Sequence, residues 1–129
     1  MIYREERRLL QAAVLLAGLV PVLAGGWGVL RGATLLTGAT VGADLDSHFR
    51  YLSGLLLGVG LVFWGLVPGI DRHGRIFRVL GGIVVLGGLA RLIGVIVAGP
   101  PSSPMLLTLG MELAVTPLLC LWQARIATA

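Results

Sequence analysis

Two ionisable residues, Arg91 and Glu112, lie inside long apolar stretches of the chain. A charged side chain in hydrocarbon is costly when it has no partner, so such residues usually face the interior and pair with one another. Arg91 comes seven residues before Ala98 and Glu112 eight residues after Pro104. On a helix these separations correspond to roughly 10 and 12 Å. The matching depths predict an Arg91–Glu112 ion pair in the outer half of a membrane.

Other polar residues are expected near this pair. Thr108 and Thr116 lie four residues either side of Glu112, which places all three on one helical face. Asp46, His48 and Arg50 precede another apolar stretch and would form a rim over the pair, where Arg50 competes with Arg91 for Glu112. Two interpretations stay open. The pair fixes how the helices pack, or it forms a ligand or proton site open to the outer face.

The chain contains no motif that would assign it a reaction. It has no GxSxG, HExxH or phosphate-loop sequence. The loop from Pro68 to Arg75 contains Asp71, Arg72 and His73, but it is typical of a tight turn rather than of a catalytic centre. The single cysteine, Cys120, has no Cys/His cluster with zinc spacing around it and is expected to be a packing residue. We therefore expect a non-enzymatic protein without catalytic or metal-ligating residues, and no cofactor can be assigned.

The elements that carry these residues are four long apolar segments. Of the 129 residues, 57% are hydrophobic and 12% are charged, whereas a soluble domain has about a quarter charged residues. About 20 apolar residues of helix suffice to cross a membrane. The predicted fold is an all-α four-transmembrane-helix bundle forming a single domain, 1–129. The predicted spans are 9–30, 51–67, 76–98 and 105–123. The middle of the longest loop, 33–41, predicts a short interfacial helix.

The arginines predict the orientation of the spans. Seven lie on the side that holds both termini and the loop from Pro68 to Arg75, and two lie on the other side. The richer side should be cytoplasmic. Because the arginines cluster at helix ends and not on one exposed face, nucleic acid is not an expected partner. The absence of lysine is typical of a GC-rich bacterial genome, so the expected location is a bacterial inner membrane, with the lipid bilayer as surroundings.

Small residues repeat at four-residue spacing in three of the spans. The repeats are Gly54-x-x-x-Gly58, Ala24-x-x-x-Gly28 and Ala90-x-x-x-Gly94-x-x-x-Ala98. Small residues allow helix backbones to approach closely in a membrane. We expect these faces to pack within the bundle, with a homodimer interface as the alternative. Pro117 should kink the last span and leave the carbonyl of Leu113 unpaired.

Several of these features, taken in order, resemble one family. They are the run Asp46-x-His-Phe-Arg-Tyr-Leu-x-Gly54, the Ala90-Arg91-Leu92 step, the Gly99-Pro100 turn and Glu112-x-x-x-x-Pro117. Together they resemble the small bacterial membrane family called domain of unknown function 4345, over nearly the whole chain. The resemblance implies a four-helix membrane fold and no activity, with recurring polar positions at Asp46, Arg50, Arg91 and Glu112. The architecture is distantly similar to DoxX-like proteins, some of which accompany quinone-linked oxidoreductases.

Three functions fit the sequence. The first is a binding module for a small lipophilic or anionic molecule, in which Arg91 holds an acidic group or carbonyl and Glu112 orients Arg91 or accepts a proton. The second is an accessory or structural subunit of a larger membrane complex, such as a redox complex. The third is a small multidrug-type transporter working as a dimer, but the first span lacks the glutamate that such transporters carry there.

Overall fold

The computed structural model describes residues 2–127, and these form helices joined by short loops. Helix α1 is Ile2–Arg31, α2 is the short Thr34–Thr37, and α3 is Ala43–Leu66, which continues into a 3-10 turn at Val67–Gly69. Helix α4 is Gly74–Ala98. Helix α5 is Ser103–Ile126 and contains a π-helical turn at Met111–Val115. No strand occurs in the part of the chain described.

Within residues 2–127, four helices are long and apolar enough to cross a membrane: α1, α3 with its 3-10 turn, α4 and α5. The most apolar stretches of the four have mean hydropathies between 1.7 and 2.3. The predicted all-α class with four spans is confirmed, and the protein is a multi-pass membrane protein. Each helix extends past its predicted span, since backbone hydrogen bonds continue the helix into the charged flanking residues.

The loop before α3 contains the predicted short helix, α2. It lies between two glycines with positive φ, Gly32 at +68° and Gly38 at +67°. A side chain disfavours this left-handed conformation, which glycine adopts readily. The N–H of Gly38 donates to the carbonyl of Thr34 and ends the helix.

The chain forms two compact units. The first comprises the described residues up to Val14 and those from Leu66 onward, and the second is Leu15–Gly65. The expectation of a single domain stays a prediction.

The core of the first unit lies near the loop that joins the 3-10 turn to α4. Leu10, Ile70 and Phe77 are at most 1% exposed, and Gln123 is completely buried. The amide of Gln123 donates to the carbonyl of Ile70 at 2.8 Å, which ties α5 to this loop. The loop is therefore held by buried apolar contacts and by one buried hydrogen bond.

In the second unit, α1 and α3 run antiparallel with glycines at their contact. Gly25 lies against the backbone at Leu57, and Gly28 lies against Ser53. Further along α3, Gly60 lies against Val22 of α1. A Cβ atom at any of these glycines would collide with the opposite helix, so their small size allows the close approach. Packing within the chain was the expectation for Gly28, and the structure confirms it.

In the first unit, α4 and α5 also run antiparallel. Gly81 lies against the sulfur of Cys120, and Gly88 lies against Glu112 and Leu113. Ala90, Gly94 and Ala98, by contrast, are exposed. No heavy atom of residues 2–127 would come within 4 Å of a methyl group placed at Gly94. Within the first unit, α4 therefore contacts α5 through Gly81 and Gly88. The expectation that the third small-residue face packs within the chain stays a prediction.

Candidate functional site

Arg91 of α4 and Glu112 of α5 form a two-pronged ion pair. Arg91 Nε donates to Glu112 Oε2 at 3.1 Å, and Nη2 donates to Oε1 at 3.2 Å. The Glu112 side chain is 15% exposed and that of Arg91 is 32% exposed. Two parallel N–H···O bonds orient a guanidinium better than a single contact does. The pairing predicted from the sequence is confirmed, and both residues lie within predicted spans.

The pair is possible because α4 has no side chain at position 88. A Cβ atom there would be 2.8 Å from Glu112 Cβ and 2.9 Å from Leu113 Cδ2. Gly88 therefore lets α5 approach α4 one turn away from Arg91. Gly87, Gly88 and Gly94 all lie within four residues of Arg91 in the sequence. Of these, Gly88 contacts α5, whereas a Cβ atom at Gly87 or Gly94 would have no heavy atom of another part of residues 2–127 within 4 Å.

Glu112 lies in the π-helical turn of α5. The N–H of Thr116 reaches back five residues to the carbonyl of Met111, and the Thr116 hydroxyl donates to the same carbonyl at 2.9 Å. A π turn inserts one extra residue into a helix and is frequent at functional sites. The turn ends just before Pro117, which has no N–H to donate. Pro117 was the signal in the sequence, although it predicted a kink and not a π turn.

Both threonines expected beside Glu112 donate to their own helix. Thr108 Oγ1 donates to the carbonyl of Met105 at 2.8 Å, as Thr116 Oγ1 does to that of Met111. Their hydroxyl protons are thus used within α5 and not directed at Glu112. Each oxygen keeps lone pairs that can accept a hydrogen bond. A role for Thr108 and Thr116 in binding stays a prediction.

Arg91 is one of the residues that line a pocket of about 290 Å³. Apart from Arg91, its lining consists of small and apolar residues from α4, the following loop and the start of α5: Gly94, Val95, Ala98, Gly99, Pro101 and Met105. Met105 Sδ accepts a hydrogen bond from Arg91 Nη1 at 3.1 Å. Sequence reasoning missed Met105, because a methionine in an apolar segment carries no signal that distinguishes it from a packing residue.

Asp46 and Arg50 lie in the second unit and have partners there. Arg50 Nε donates to Asp46 Oδ2 at 2.8 Å, and Arg50 Nη1 donates to the carbonyl of Val29 at 2.6 Å. Asp46 Oδ1 accepts the N–H of the buried Ala33 at 2.9 Å. These bonds join the end of α1 to the start of α3. The carboxylate partner of Arg50 is thus Asp46, whereas Glu112 is bound by Arg91.

His48 is exposed on α3 and makes no hydrogen bond or ion pair with residues 2–127. The ligand-binding role expected of Asp46, His48 and Arg50 stays a prediction. Across the described part of the chain, no group of three His, Cys, Asp or Glu side chains is arranged to hold a metal ion.

Comparison with known proteins identifies the family. A family model described as "Domain of unknown function (DUF4345)" matches residues 9–123, which include all four spans and both residues of the ion pair. No curated protein and no solved structure matches the chain. Since the match covers most of the sequence, the chain belongs to the family of proteins with this domain of unknown function.

Proposed function

We propose that this membrane protein is a non-enzymatic binding module for a small lipophilic molecule that carries a carbonyl or carboxyl group. The observation that supports this proposal most is that the hydrogen-bond donors of Arg91 are only partly used. Its guanidinium has five N–H groups, of which two bind Glu112 and one binds Met105. Two N–H groups therefore stay available to an oxygen acceptor, and Arg91 lines the adjacent pocket.

The thioether of Met105 is a weak acceptor. A carbonyl or carboxylate oxygen would bind the same N–H group more strongly. A ligand oxygen can thus replace the Met105 contact while Glu112 keeps the guanidinium oriented. The rest of the pocket lining is apolar and suits a hydrocarbon chain.

The charge of the pair narrows the ligand class. Arg91 and Glu112 together are neutral, so a neutral carbonyl compound adds no net charge to the site. A carboxylic acid can also enter neutral, transfer its proton to Glu112 and leave its carboxylate on Arg91. Both routes avoid an uncompensated charge in a region of low dielectric.

Three lipophilic probes of equal chain length test this proposal: octadecene, methyl oleate and oleic acid. Purified protein in detergent micelles is treated with phenylglyoxal, and modification of Arg91 is followed by peptide mass spectrometry. We expect methyl oleate and oleic acid to slow the modification of Arg91, because their oxygens occupy the guanidinium. Octadecene should have no effect, and the exposed Arg31 serves as the reference in the same molecule.

Equal protection by octadecene, or none by either oxygenated probe, would rule out the proposed site. The variant Glu112→Gln adds a second criterion. This variant leaves the Arg91 guanidinium positive without a counter-charge, which favours an anionic ligand. The protection of Arg91 by oleic acid, divided by that by methyl oleate, should therefore be larger in Glu112→Gln than in the wild type.

One observation favours a second candidate, an accessory subunit of a larger membrane complex. Ala90, Gly94 and Ala98 form an exposed small-residue face on α4, as helices that dock another helix often do. In this case the protein should migrate with partners on a native gel after mild solubilisation, and bulky substitution of Gly94 should release them. Migration as a lone small particle would count against it.

We further propose that the protein lies in a bacterial inner membrane with both termini in the cytoplasm. Seven arginines on the side of the termini support this orientation. A reporter that is active only outside the cytoplasm, fused after Ala129, should stay inactive, and the same reporter inserted between Gly38 and Ala39 should be active.

A further inference from the structure

A second pocket, of about 400 Å³, lies between α4 and α5 and is separate from the one at Arg91. We call it the Arg78 groove. Its lining is apolar or small except for Arg78 and the thiol of Cys120, and it consists of Arg78, Gly81, Gly82, Val85, Pro117, Cys120, Leu121 and Ala124. On α4 it extends from Arg78 to Val85, which is about 10 Å along a helix.

Arg78 differs from the other arginine that lines a pocket, Arg91. It makes no hydrogen bond or ion pair with any described residue, and no carboxylate lines the groove. Arg7 and Arg125, also in the first unit, have acidic partners in Asp71 and Glu6. The groove thus combines an apolar wall with one cation that lacks a counter-ion.

Two glycines of α4 have different roles at the groove. Gly81 lies against the sulfur of Cys120, where a side chain would collide. A side chain at Gly82 would meet no heavy atom of residues 2–127 within 4 Å. Gly82 therefore leaves open space in the groove, which Cys120 also lines.

We propose that the Arg78 groove binds one anionic phospholipid of the surrounding bilayer. Its phosphate contacts the Arg78 guanidinium, and part of one acyl chain lies along Gly82, Val85 and Leu121. Charge complementarity identifies the headgroup, since a guanidinium binds phosphate oxygens in the two-pronged geometry. Arg75, one turn earlier and also without a partner among residues 2–127, adds to the positive potential. Basic pockets between helices at a membrane surface bind such headgroups in general.

The single cysteine provides the test. Full-length protein in lipid-depleted micelles is alkylated at Cys120 with N-ethylmaleimide, and the adduct is followed by intact-mass measurement. We expect phosphatidylglycerol to slow alkylation several-fold and phosphatidylcholine, at the same concentration, to have little effect. Arg78→Gln should abolish the protection, while Arg8→Gln, which removes another exposed arginine outside the groove, should retain it.

Filling the groove is an independent test that leaves Arg78 in place. Gly82→Leu should remove the additional protection by phosphatidylglycerol, and Gly65→Leu should not. The two glycines are matched, because an added Cβ atom at either would contact no other part of residues 2–127 within 4 Å. Native mass spectrometry should find one fewer retained phosphatidylglycerol in Arg78→Gln than in Arg8→Gln.

Four results would overturn the proposal. Two concern the lipid: equal protection by both lipids, and undiminished protection in Arg78→Gln. The third is protection that appears without lipid as protein concentration rises, which would identify a second copy of the chain as the occupant. The fourth is protection by free inorganic phosphate alone, which would show that the acyl chain is not recognised.

Discussion

Gly88 of α4 lies so close to Glu112 of α5 that a Cβ atom at position 88 would be 2.8 Å from Glu112 Cβ. A Cβ atom added at the neighbouring Gly87 would have no heavy atom from another part of residues 2–127 within 4 Å. Adjacent glycines thus have opposite environments, which makes them a matched pair for testing the helix contact that holds the ion pair.

Gly88→Ala should destabilise the protein, and Gly87→Ala should not. Inserting a methyl group into a close contact typically costs about 1–3 kcal/mol, whereas an alanine in an open helical position favours the helix. Thermal unfolding in micelles, followed by circular dichroism, measures the difference. Equal midpoints for the two variants would mean that α4 and α5 do not meet at Gly88.

Arg91 and Glu112 should be energetically coupled. Removing either partner, in Arg91→Leu or Glu112→Leu, leaves the other charge without its hydrogen bonds and should cost about 1.5–3 kcal/mol. The double variant leaves no charge and should be more stable than the sum of the single effects predicts. Because the double variant lacks the guanidinium, it should still fail to bind methyl oleate. Strictly additive stabilities would contradict the pairing.

Asp46 should matter for the structure of the loop before α3. Asp46→Asn weakens the acceptor for the Ala33 N–H and removes the ion pair with Arg50, so the thermal midpoint should fall and amide exchange at residues 32–38 should accelerate. Asp44→Asn is the control, since Asp44 is also in the first turn of α3 but has no hydrogen bond with residues 2–127. Slower or unchanged exchange in Asp46→Asn would contradict this role.

Asp71, in the loop before α4, should make stability depend on pH. The Tyr3 hydroxyl and the Arg7 guanidinium donate to its carboxylate and hold its pKa below the ordinary value of 3.8. A lowered pKa stabilises the folded state above the ordinary value, and this contribution is lost as pH falls through the lowered pKa. The stability advantage of wild type over Asp71→Asn should therefore be constant near neutral pH and shrink below about pH 4.

Tyr3→Phe removes the larger cause of this shift in the pKa of Asp71. In proteins that carry Tyr3→Phe, the stability lost at neutral pH on replacing Asp71 by Asn should therefore be smaller than in proteins that keep Tyr3. Unfolding midpoints measured from pH 3 to pH 7 test both statements. An advantage that grows on acidification would show that the folded protein prefers protonated Asp71.

Much of the architecture was predictable from local pattern. Uncharged segments long enough to cross a membrane indicate helices wherever they occur, because a backbone in lipid must satisfy its own hydrogen bonds. The pairing of Arg91 with Glu112 could also be predicted from the sequence. An unpaired charge is costly in lipid, and a short loop makes the two helices neighbours.

The amino-acid pattern alone is thus enough to predict four apolar helices, their order, and the two charges that must meet. Four features are visible only once the helices are packed: Gly88 admits Glu112, a π turn holds Glu112, Met105 completes the contacts of Arg91, and Asp46 and Arg50 join α1 to α3. These outcomes depend on the rotation of each helix about its axis and on side-chain rotamers. Apolar residues on all sides of a helix leave both undetermined, because every face is equally compatible with lipid.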